Sequence, residues 1–276
     1  MFKLSEESIE LIANGIVDFI LSQGKSSKNV PTVGGGNDEL DVLKNKRRRD
    51  SLTIPLELDF RKGITPLFKK QRDRVIHILQ GKKAINPNID DAINVPVSKA
   101  EIAVFVEYVV PKITSILALA GNEALAELPI SIAFDLLNPE VINWLETHCA
   151  EAVKDIGVTT KQVLKQTLIE GIENGESIAK LIERIKEAYS PLDIEGYRAK
   201  RIAMTETKNA FSQGNLQGYR QSGLPGKKGI LLGPAPCGFC ISLESMGLID
   251  LDDTWEGYES PTFHPNCHCD IYFRPD

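Results

Sequence analysis

The chain has 276 residues, of which 42% are hydrophobic and 25% are charged, and its formal net charge at pH 7 is −6. Such a composition is that of an ordinary globular protein, long enough for one large core or two small ones. The negative charge excludes a protein coated in positive charge for nucleic-acid binding, and the lack of an apolar run of about 18 residues predicts no membrane partner.

Residues 1–50 are predicted to form an amphipathic helix followed by a flexible basic linker. Ile9, Ile12, Ile16 and Ile20 recur at spacings of three and four, which places them on one helix face. The stretch that follows, GKSSKNVPTVGGGND, is rich in Gly, Ser, Pro and Asn. That composition cannot bury enough apolar surface to hold a fixed conformation, so it is typical of a linker.

A local excess of positive charge begins after this linker. Residues 41–80 contain eleven Lys or Arg and five Asp or Glu, in a chain that is acidic elsewhere. The candidate DNA-contacting residues are Lys44, Lys46, Arg47, Arg48 and Arg49. Lys and Arg bind phosphates without regard to base sequence, so such contact would be non-specific. Three interpretations remain open: a solvated charged face, contact with DNA, and contact with an acidic protein surface.

Residues 51–223 are predicted to form a helical domain, because their apolar residues recur at helical spacing without strand-like alternation. Asn138 and Ser177 are expected to cap two of the helices, and Pro139 suits the first helical position. Pro111 and Gly121 are expected to interrupt the helical stretch in which they lie. The helices are expected over residues 65–80, 98–128, 138–156, 159–175, 177–190 and 197–223.

The helix over residues 197–223 carries a carboxylate in an apolar stripe. Glu206 falls among small apolar residues at helical spacing, and beside them runs a polar row of Arg198, Arg201, Thr205 and Asn209. A carboxylate that faces a core needs a cationic partner. We therefore expect a structural ion pair between Arg201 and Glu206. No nucleophile or open metal position accompanies Glu206, so no catalytic residue is assigned.

Residues 224–276 are rich in Gly, Pro and turns, and their apolar runs are short. A segment of this size is usually too small to fold by apolar burial alone. Four of the five cysteines of the chain lie here, in CGFC (Cys237 and Cys240) and HPNCHC (Cys267 and Cys269, with His264). This clustering indicates either a metal site, redox chemistry, or a set of small buried thiols.

The spacing favours a metal site. Zinc takes four tetrahedral N or S ligands, and a closed set of four protein ligands is structural rather than catalytic. We expect the ligands to be Cys237, Cys240, Cys269 and one of His264 and Cys267. The fold class predicted is therefore mainly α, with a helical domain followed by a small, irregular α+β module at 224–276 that zinc holds together.

Three motifs together resemble a known family. RAKRIAMTETKNAFSQGN, then CGFC, then HPNCHC is similar to the pattern of the phage Mu F-like minor head (head morphogenesis) proteins of tailed bacteriophages. The resemblance covers about residues 130–275. Met204 stands where the family usually has Arg.

The resemblance implies a minor capsid protein with no agreed enzymatic activity, which acts at or near the portal vertex in head assembly and in DNA packaging or ejection. Its implied partners are the portal protein, capsid or scaffold proteins and packaged DNA. Its implied location is the capsid interior near the portal, and the host cytoplasm during assembly. The alternatives are a metal-dependent nuclease or other DNA-acting enzyme of phage origin, and an isolated zinc-binding interaction module.

Overall fold

The protein is mainly helical, with few strands. The computed structural model describes residues 7, 9–10, 13–16, 39–81, 90–192 and 196–276, and it describes 39–47 by their backbone alone. The helices are α1 (Glu39–Gln80), α2 (Asp90–Asn94), α3 (Lys99–Ala126), α4 (Pro139–Glu173), α5 (Ile178–Tyr189), α6 (Tyr197–Gln221) and α7 (Gly238–Glu244); the strands are β1 (Gly226–Leu231), β2 (Ile249–Asp250) and β3 (Asp270–Pro275). Short 3₁₀ helices cover Val95–Val97 and Ser190–Leu192.

The chain divides into two compact units. The first unit comprises Met1–Val17, Phe60–Pro111 and Leu145–Lys200, and the second unit comprises Asp18–Asp59, Lys112–Trp144 and Arg201–Asp276. These limits differ from the boundaries expected at residues 50 and 223. Residue 50 lies inside α1, and the segment after residue 223 belongs to the same compact unit as parts of α1, α3 and α6.

The first unit is built on apolar helix faces. Phe60, Ile64 and Phe68 follow one another at spacings of four on α1 and are almost fully buried, as an amphipathic helix requires. The ring of Phe68 packs against that of Phe105 on α3, with centroids 5.2 Å apart. Where it is described, the predicted N-terminal helix is helical, and Ile16 on it is buried. The linker expected after it lies outside the described residues.

The second unit contains a three-stranded antiparallel sheet in the order β2-β1-β3. Ile230 on β1 is paired with Ile271 on β3. The core behind the sheet also includes residues of α3 and α6. Its buried members are Ala124, Leu128, Leu216, Tyr219, Ile230, Cys240, Leu243, Trp255, Phe263, Cys267, Cys269, Ile271 and Phe273. The C-terminal segment therefore does not rely on its own apolar residues, since helices from earlier in the chain complete its core.

Two glycines let α6 approach α3 closely. A Cβ atom at Gly214 would lie 2.4 Å from the carbonyl oxygen of Leu117, and one at Gly218 would lie 2.7 Å from that of Gly121. Contacts this short leave no room for a side chain. The four-residue spacing of the two glycines puts both on one face of α6, so the backbones of the two helices meet directly.

Three expected helix breaks are absent. Helix α3 runs unbroken through Pro111 and Gly121. An internal proline costs about 3 kcal/mol, and burial of flanking apolar residues such as Val110 and Ile113 offsets that cost. Helix α4 likewise runs through residues 156–159 as one helix. The caps expected at Asn138 and Ser177 are confirmed, because each side chain accepts a hydrogen bond from a backbone N–H of the first helical turn.

One helical stretch is long and apolar enough, by length and composition, to cross a membrane. It covers Asp90–Ala126 and contains an 18-residue window with a mean hydropathy of 1.8. The expectation that the chain has no such run is therefore wrong. Half of that window is buried inside the structure, and the core helix of a globular protein also meets these criteria.

Candidate metal centre

The motif CGFC turns into a helix. Cys237 is the N-cap of α7, and its Sγ accepts the backbone N–H of Cys240 at 3.5 Å. A side chain at an N-cap position folds back over the first turn of its helix. The two sulfurs consequently lie 3.6 Å apart.

The motif HPNCHC forms a tight turn. The backbone N–H of Cys267 donates to the carbonyl oxygen of His264 at 3.1 Å. Pro265 occupies the second position of this turn and Asn266, with φ of 63°, the third. Proline followed by a residue with positive φ is the requirement of a type II turn. The sequence of the turn therefore returns Cys267 to the side of His264.

The two motifs meet in the second unit. His264 Nε2 lies 3.2 Å from the sulfur of Cys237 and 3.2 Å from that of Cys240. The sulfur of Cys240 also lies 3.7 Å from that of Cys267. Cys240 is buried and stands between the others, while Cys237 is exposed. The donors predicted from two separate motifs are thus brought together.

These distances fit a tetrahedral zinc site. With Zn–S bonds of about 2.3 Å, two ligand sulfurs lie roughly 3.8 Å apart. His264 Nδ1 lies 2.9 Å from the carbonyl oxygen of Pro265, to which it can donate. That bond leaves Nε2 as the free lone pair facing the sulfurs, which is the orientation a metal-binding histidine needs. Cys237, Cys240 and His264 lie within 4.8 Å of one another, as do Cys240, Cys267 and Cys269, so either group could hold a metal ion and Cys240 belongs to both.

Cys269 is the fifth candidate. Its sulfur groups with those of Cys240 and Cys267, all within 4.8 Å of one another, and its side chain is buried. A hydrogen bond from Cys269 lowers the pKa of Cys267 to about 5. The backbone N–H of Cys240 lowers the pKa of Cys237, whereas burial raises the pKa of Cys240 to about 12. These contacts favour the thiolate forms of Cys237 and Cys267, and zinc binds cysteine as the thiolate.

A polar row on α6 supports the turn that carries His264 and Cys267. Asn209 Oδ1 accepts hydrogen bonds from the backbone N–H of Thr262, at 3.4 Å, and from its hydroxyl. Thr205 Oγ1 accepts the N–H of Asn266 at 3.4 Å, and Gln213 Oε1 accepts the Ser260 hydroxyl at 3.5 Å. The sequence shows Thr205 and Asn209 at helical spacing, but it does not indicate that they face the turn at residues 264–267.

The expected Arg201–Glu206 pair stays a prediction. Arg201 is exposed and Glu206 is half-buried on α6. Glu206 itself makes an electrostatic or hydrogen-bonding contact. A half-buried carboxylate is screened by water, so its placement indicates a weaker interaction than the core ion pair that the sequence suggested.

Arg49 is a core residue rather than part of a DNA-binding surface. Its side chain is 2% exposed and forms ion pairs with Glu127 and with Asp270, the latter at 3.6 Å. It also donates to the hydroxyl of Tyr219 and, at 2.5 Å, to the carbonyl oxygen of Ile271. Burial acts to lower the pKa of Arg49, but Glu127, Tyr219 and Asp270 hold it well above its ordinary value. Arg49 is therefore withdrawn as a candidate DNA contact.

The other basic candidates lie on the same helix. Arg48 is one-third exposed and pairs with Glu123 at 2.6 Å. Lys44, Lys46 and Arg47 lie on α1, but their side chains are outside the described residues. The backbone of this basic run is helical from Glu39 onward.

A family comparison points to the same part of the chain. Residues 162–272 match the family described as Phage Mu protein F like protein, and this range contains α6 and every metal-site candidate. The resemblance noted in the sequence is thereby confirmed over residues 162–272, which are similar to that family. No curated protein and no solved structure gives a significant match.

Proposed function

We propose that this chain is a minor head protein of a tailed phage with a structural zinc site. The observation that carries the proposal is the meeting of the CGFC and HPNCHC donors inside the Mu F-like region. That family is a structural phage protein family associated with heads, and it is compatible with a protein that is not an enzyme.

Four zinc ligands are proposed from the five donors Cys237, Cys240, His264, Cys267 and Cys269. Cys237, Cys240 and His264 form one group of donors and Cys240, Cys267 and Cys269 form the other, so Cys240 is the ligand common to both. A set of four protein ligands leaves no open position for a water or a substrate, so the metal would be structural.

The proposed role of the zinc is to hold the turn at residues 264–267 against α7. The second unit already has an apolar core, so zinc need not fold the whole unit. It would fix the local surface that the turn presents. Its removal should therefore loosen residues 237–269 before it unfolds α6 and the sheet.

The proposed place of action is at or near the portal vertex, in head assembly and in packaging or ejection of DNA. The proposed partners are the portal and the capsid or scaffold proteins. Non-specific DNA contact through Lys44, Lys46, Arg47 and Arg48 remains part of the proposal. Because Arg49 is buried and Arg48 is paired, this contact would involve fewer phosphates than the sequence suggested.

Quantitative mass spectrometry of virions from cells that carry this gene tests the proposal. We expect the protein in purified virions in few copies relative to the major capsid protein. Its absence from virions and from assembled heads would contradict the proposal. In parallel, the zinc-loaded protein is incubated with supercoiled plasmid and Mg²⁺. Nicking that is lost in a Cys240→Ser variant would favour the metal-dependent nuclease instead.

A further inference from the structure

The second unit presents a loop that is dense in carboxylates. Residues 250–259 contain five Asp or Glu among ten residues, in the stretch DLDDTWEGYE. Over the wider range 229–263 there are six acids and neither Lys nor Arg. We call residues 250–259 the acidic loop. So much negative charge on so short a segment repels itself, and an ordered conformation therefore needs specific support.

Buried and backbone contacts supply that support. Trp255 is fully buried, and its indole N–H donates to the carbonyl oxygen of Gly247 at 3.3 Å. Trp255 and Tyr258 exchange backbone hydrogen bonds of 3.0 and 2.9 Å, and Asp253 N–H donates to Asp250 O at 3.0 Å. The loop is thus pinned at its centre. The backbone that carries its carboxylates is ordered before any partner arrives, which lowers the entropic cost of binding.

Aromatic surface lies beside these charges. The ring of Tyr258 is in edge-to-face contact with the ring of Phe239 on α7, with centroids 5.9 Å apart. Tyr258 is 37% exposed and Phe239 is 39% exposed. Ile241 and Met246, on and just after α7, are about half exposed. Four large hydrophobic side chains exposed within a 20-residue stretch are more than a scattering of single residues.

The carboxylates are only partly neutralised by the protein itself. Arg220 pairs with Asp252 at 2.9 Å and with Glu259 at 3.5 Å. For Asp253 and Glu256, both exposed, the described part of the chain provides no ion pair. The carboxylates do not converge on one point either, since the groups of metal donors found among the described residues are the Cys and His clusters. Charges spread in this way suit an extended cationic partner rather than a single ion.

We propose that the acidic loop and the exposed side chains of Phe239, Met246 and Tyr258 form a docking surface for a basic, amphipathic segment of another protein. Lys and Arg of that segment pair with Asp253 and Glu256, and its apolar side chains cover the two rings. Charge complementarity identifies the partner, since DNA is repelled by this face. The inference rests on the second unit alone and does not depend on the proposed role in phage heads.

Binding of synthetic peptides to the zinc-loaded full chain tests this proposal. The probe is an amphipathic helical peptide of Lys and Leu, and its controls are a Lys/Ser peptide and a Glu/Leu peptide of equal length. We expect the Lys/Leu peptide to bind best. Its Kd should rise steeply with salt, because the charges are exposed. Equal binding of the Glu/Leu peptide would overturn the proposal.

Charge reversal locates the site. We expect the double variant Asp253→Lys, Glu256→Lys to weaken Lys/Leu binding at least tenfold, and Met246→Ser to weaken it severalfold. The matched control reverses two exposed acids of the first unit, Glu151→Lys with Asp155→Lys, and should bind as the parent does. Unchanged zinc content and thermal midpoint establish that each variant is folded.

Two results would contradict the docking surface. One is a loss of binding in the control variant as large as that in the acidic-loop variant, because net charge would then explain both. The other is self-association of the free protein that the acidic-loop variant abolishes, measured by sedimentation, because a second copy would then be the occupant.

Discussion

Among the polar groups in the core of the second unit, the Cys and His cluster and Arg49 are built in opposite ways. The metal cluster collects its donors from two nearby motifs within residues 237–269, each shaped by its own cap or turn. Arg49 collects its partners from positions 78, 170 and 222 residues away, on Glu127, Tyr219 and Ile271. The first arrangement is local and the second joins distant parts of the chain.

The Cys and His cluster and the Arg49 network therefore stabilise different parts of the second unit. The zinc proposed for the Cys and His cluster would fix a surface turn, and its loss should be felt mainly in that turn. The Arg49 network ties α1 to α6 and to the end of the sheet within one unit, and its loss should be felt throughout the unit. A buried ion pair contributes little net stability when present, but removal of one partner leaves the others charged and unpaired.

The largest expected effect is on the metal. Cys240→Ser removes the sulfur that lies nearest to the other donors, so we expect zinc content to fall from about one per chain to near zero. Zinc contributes on the order of 10 kcal/mol to small zinc peptides, and less is expected here because the second unit has its own core. Elemental analysis and thermal unfolding measure both effects. Cys149→Ala, in the first unit, is the control and should keep its zinc. Unchanged zinc content in Cys240→Ser would contradict the proposed metal site.

The next effect distinguishes a core cation from a surface cation. Arg49→Met leaves Glu127 and Asp270 without their buried partner, and we expect a loss of about 3–5 kcal/mol in the free energy of unfolding. Arg48→Met is the matched control, because Arg48 is its chain neighbour and is one-third exposed. It should cost clearly less than Arg49→Met, because only one carboxylate, Glu123, loses its partner. Urea unfolding measures the loss of stability in both variants. Equal losses in the free energy of unfolding would contradict the different roles given to Arg48 and Arg49.

Local chemistry made the grouping of these cysteines with His264 predictable. Pro265 and Asn266 in the turn, and the spacing of Cys237 and Cys240, determine geometry within a few residues. The burial of Arg49 could not be predicted in this way, because a run of four basic residues gives no sign of which one finds carboxylates far along the chain. The continuity of α3 through Pro111 could not be predicted either, because the energetic cost of the internal proline is offset by tertiary packing, which the local sequence does not show.

A third expected effect concerns another buried cation, Lys228 on β1. Burial, reinforced by Arg220, lowers the pKa of Lys228 to about 8, although its ammonium donates to the carbonyl oxygen of Glu259 at 2.8 Å. Between this pKa and the unfolded value of about 10.5, the unfolded state binds more protons, so stability rises with pH. Relative to Lys228→Met, the wild type should gain about 2–3 kcal/mol between pH 7 and pH 10.

Urea unfolding of the two proteins at each pH, with the same zinc concentration, measures this difference. Groups other than Lys228 titrate in both proteins and cancel in the comparison. A difference that stays flat across this pH range would show that Lys228 titrates normally and is not held in the core. A difference that falls would mean that the contact with Glu259 outweighs burial.

A smaller effect is expected where α6 supports the metal turn. Asn209→Ala removes the acceptor of both hydrogen bonds from Thr262, which should cost about 1–2 kcal/mol. We also expect faster transfer of zinc to a chelator, because the turn with His264 is less firmly held. Arg201→Ala changes an exposed side chain of the same helix and is the control. If zinc transfer is unchanged in Asn209→Ala, the row on α6 does not position the turn.

The smallest effect concerns Arg201 and Glu206 themselves. Glu206 is half-buried and Arg201 exposed, so water screens any attraction between them, and surface pairs contribute about 0.2–1 kcal/mol. A double-mutant cycle with Arg201→Ala and Glu206→Gln isolates this interaction, since effects on other neighbours cancel. We expect a coupling energy within that range. A coupling near zero, together with a large loss in Glu206→Gln alone, would mean that Glu206 is held by a different partner, and the ion pair expected from the sequence would be wrong. A coupling energy of several kcal/mol would instead mean that Arg201 and Glu206 form a strong ion pair, as Arg49 does with its carboxylates.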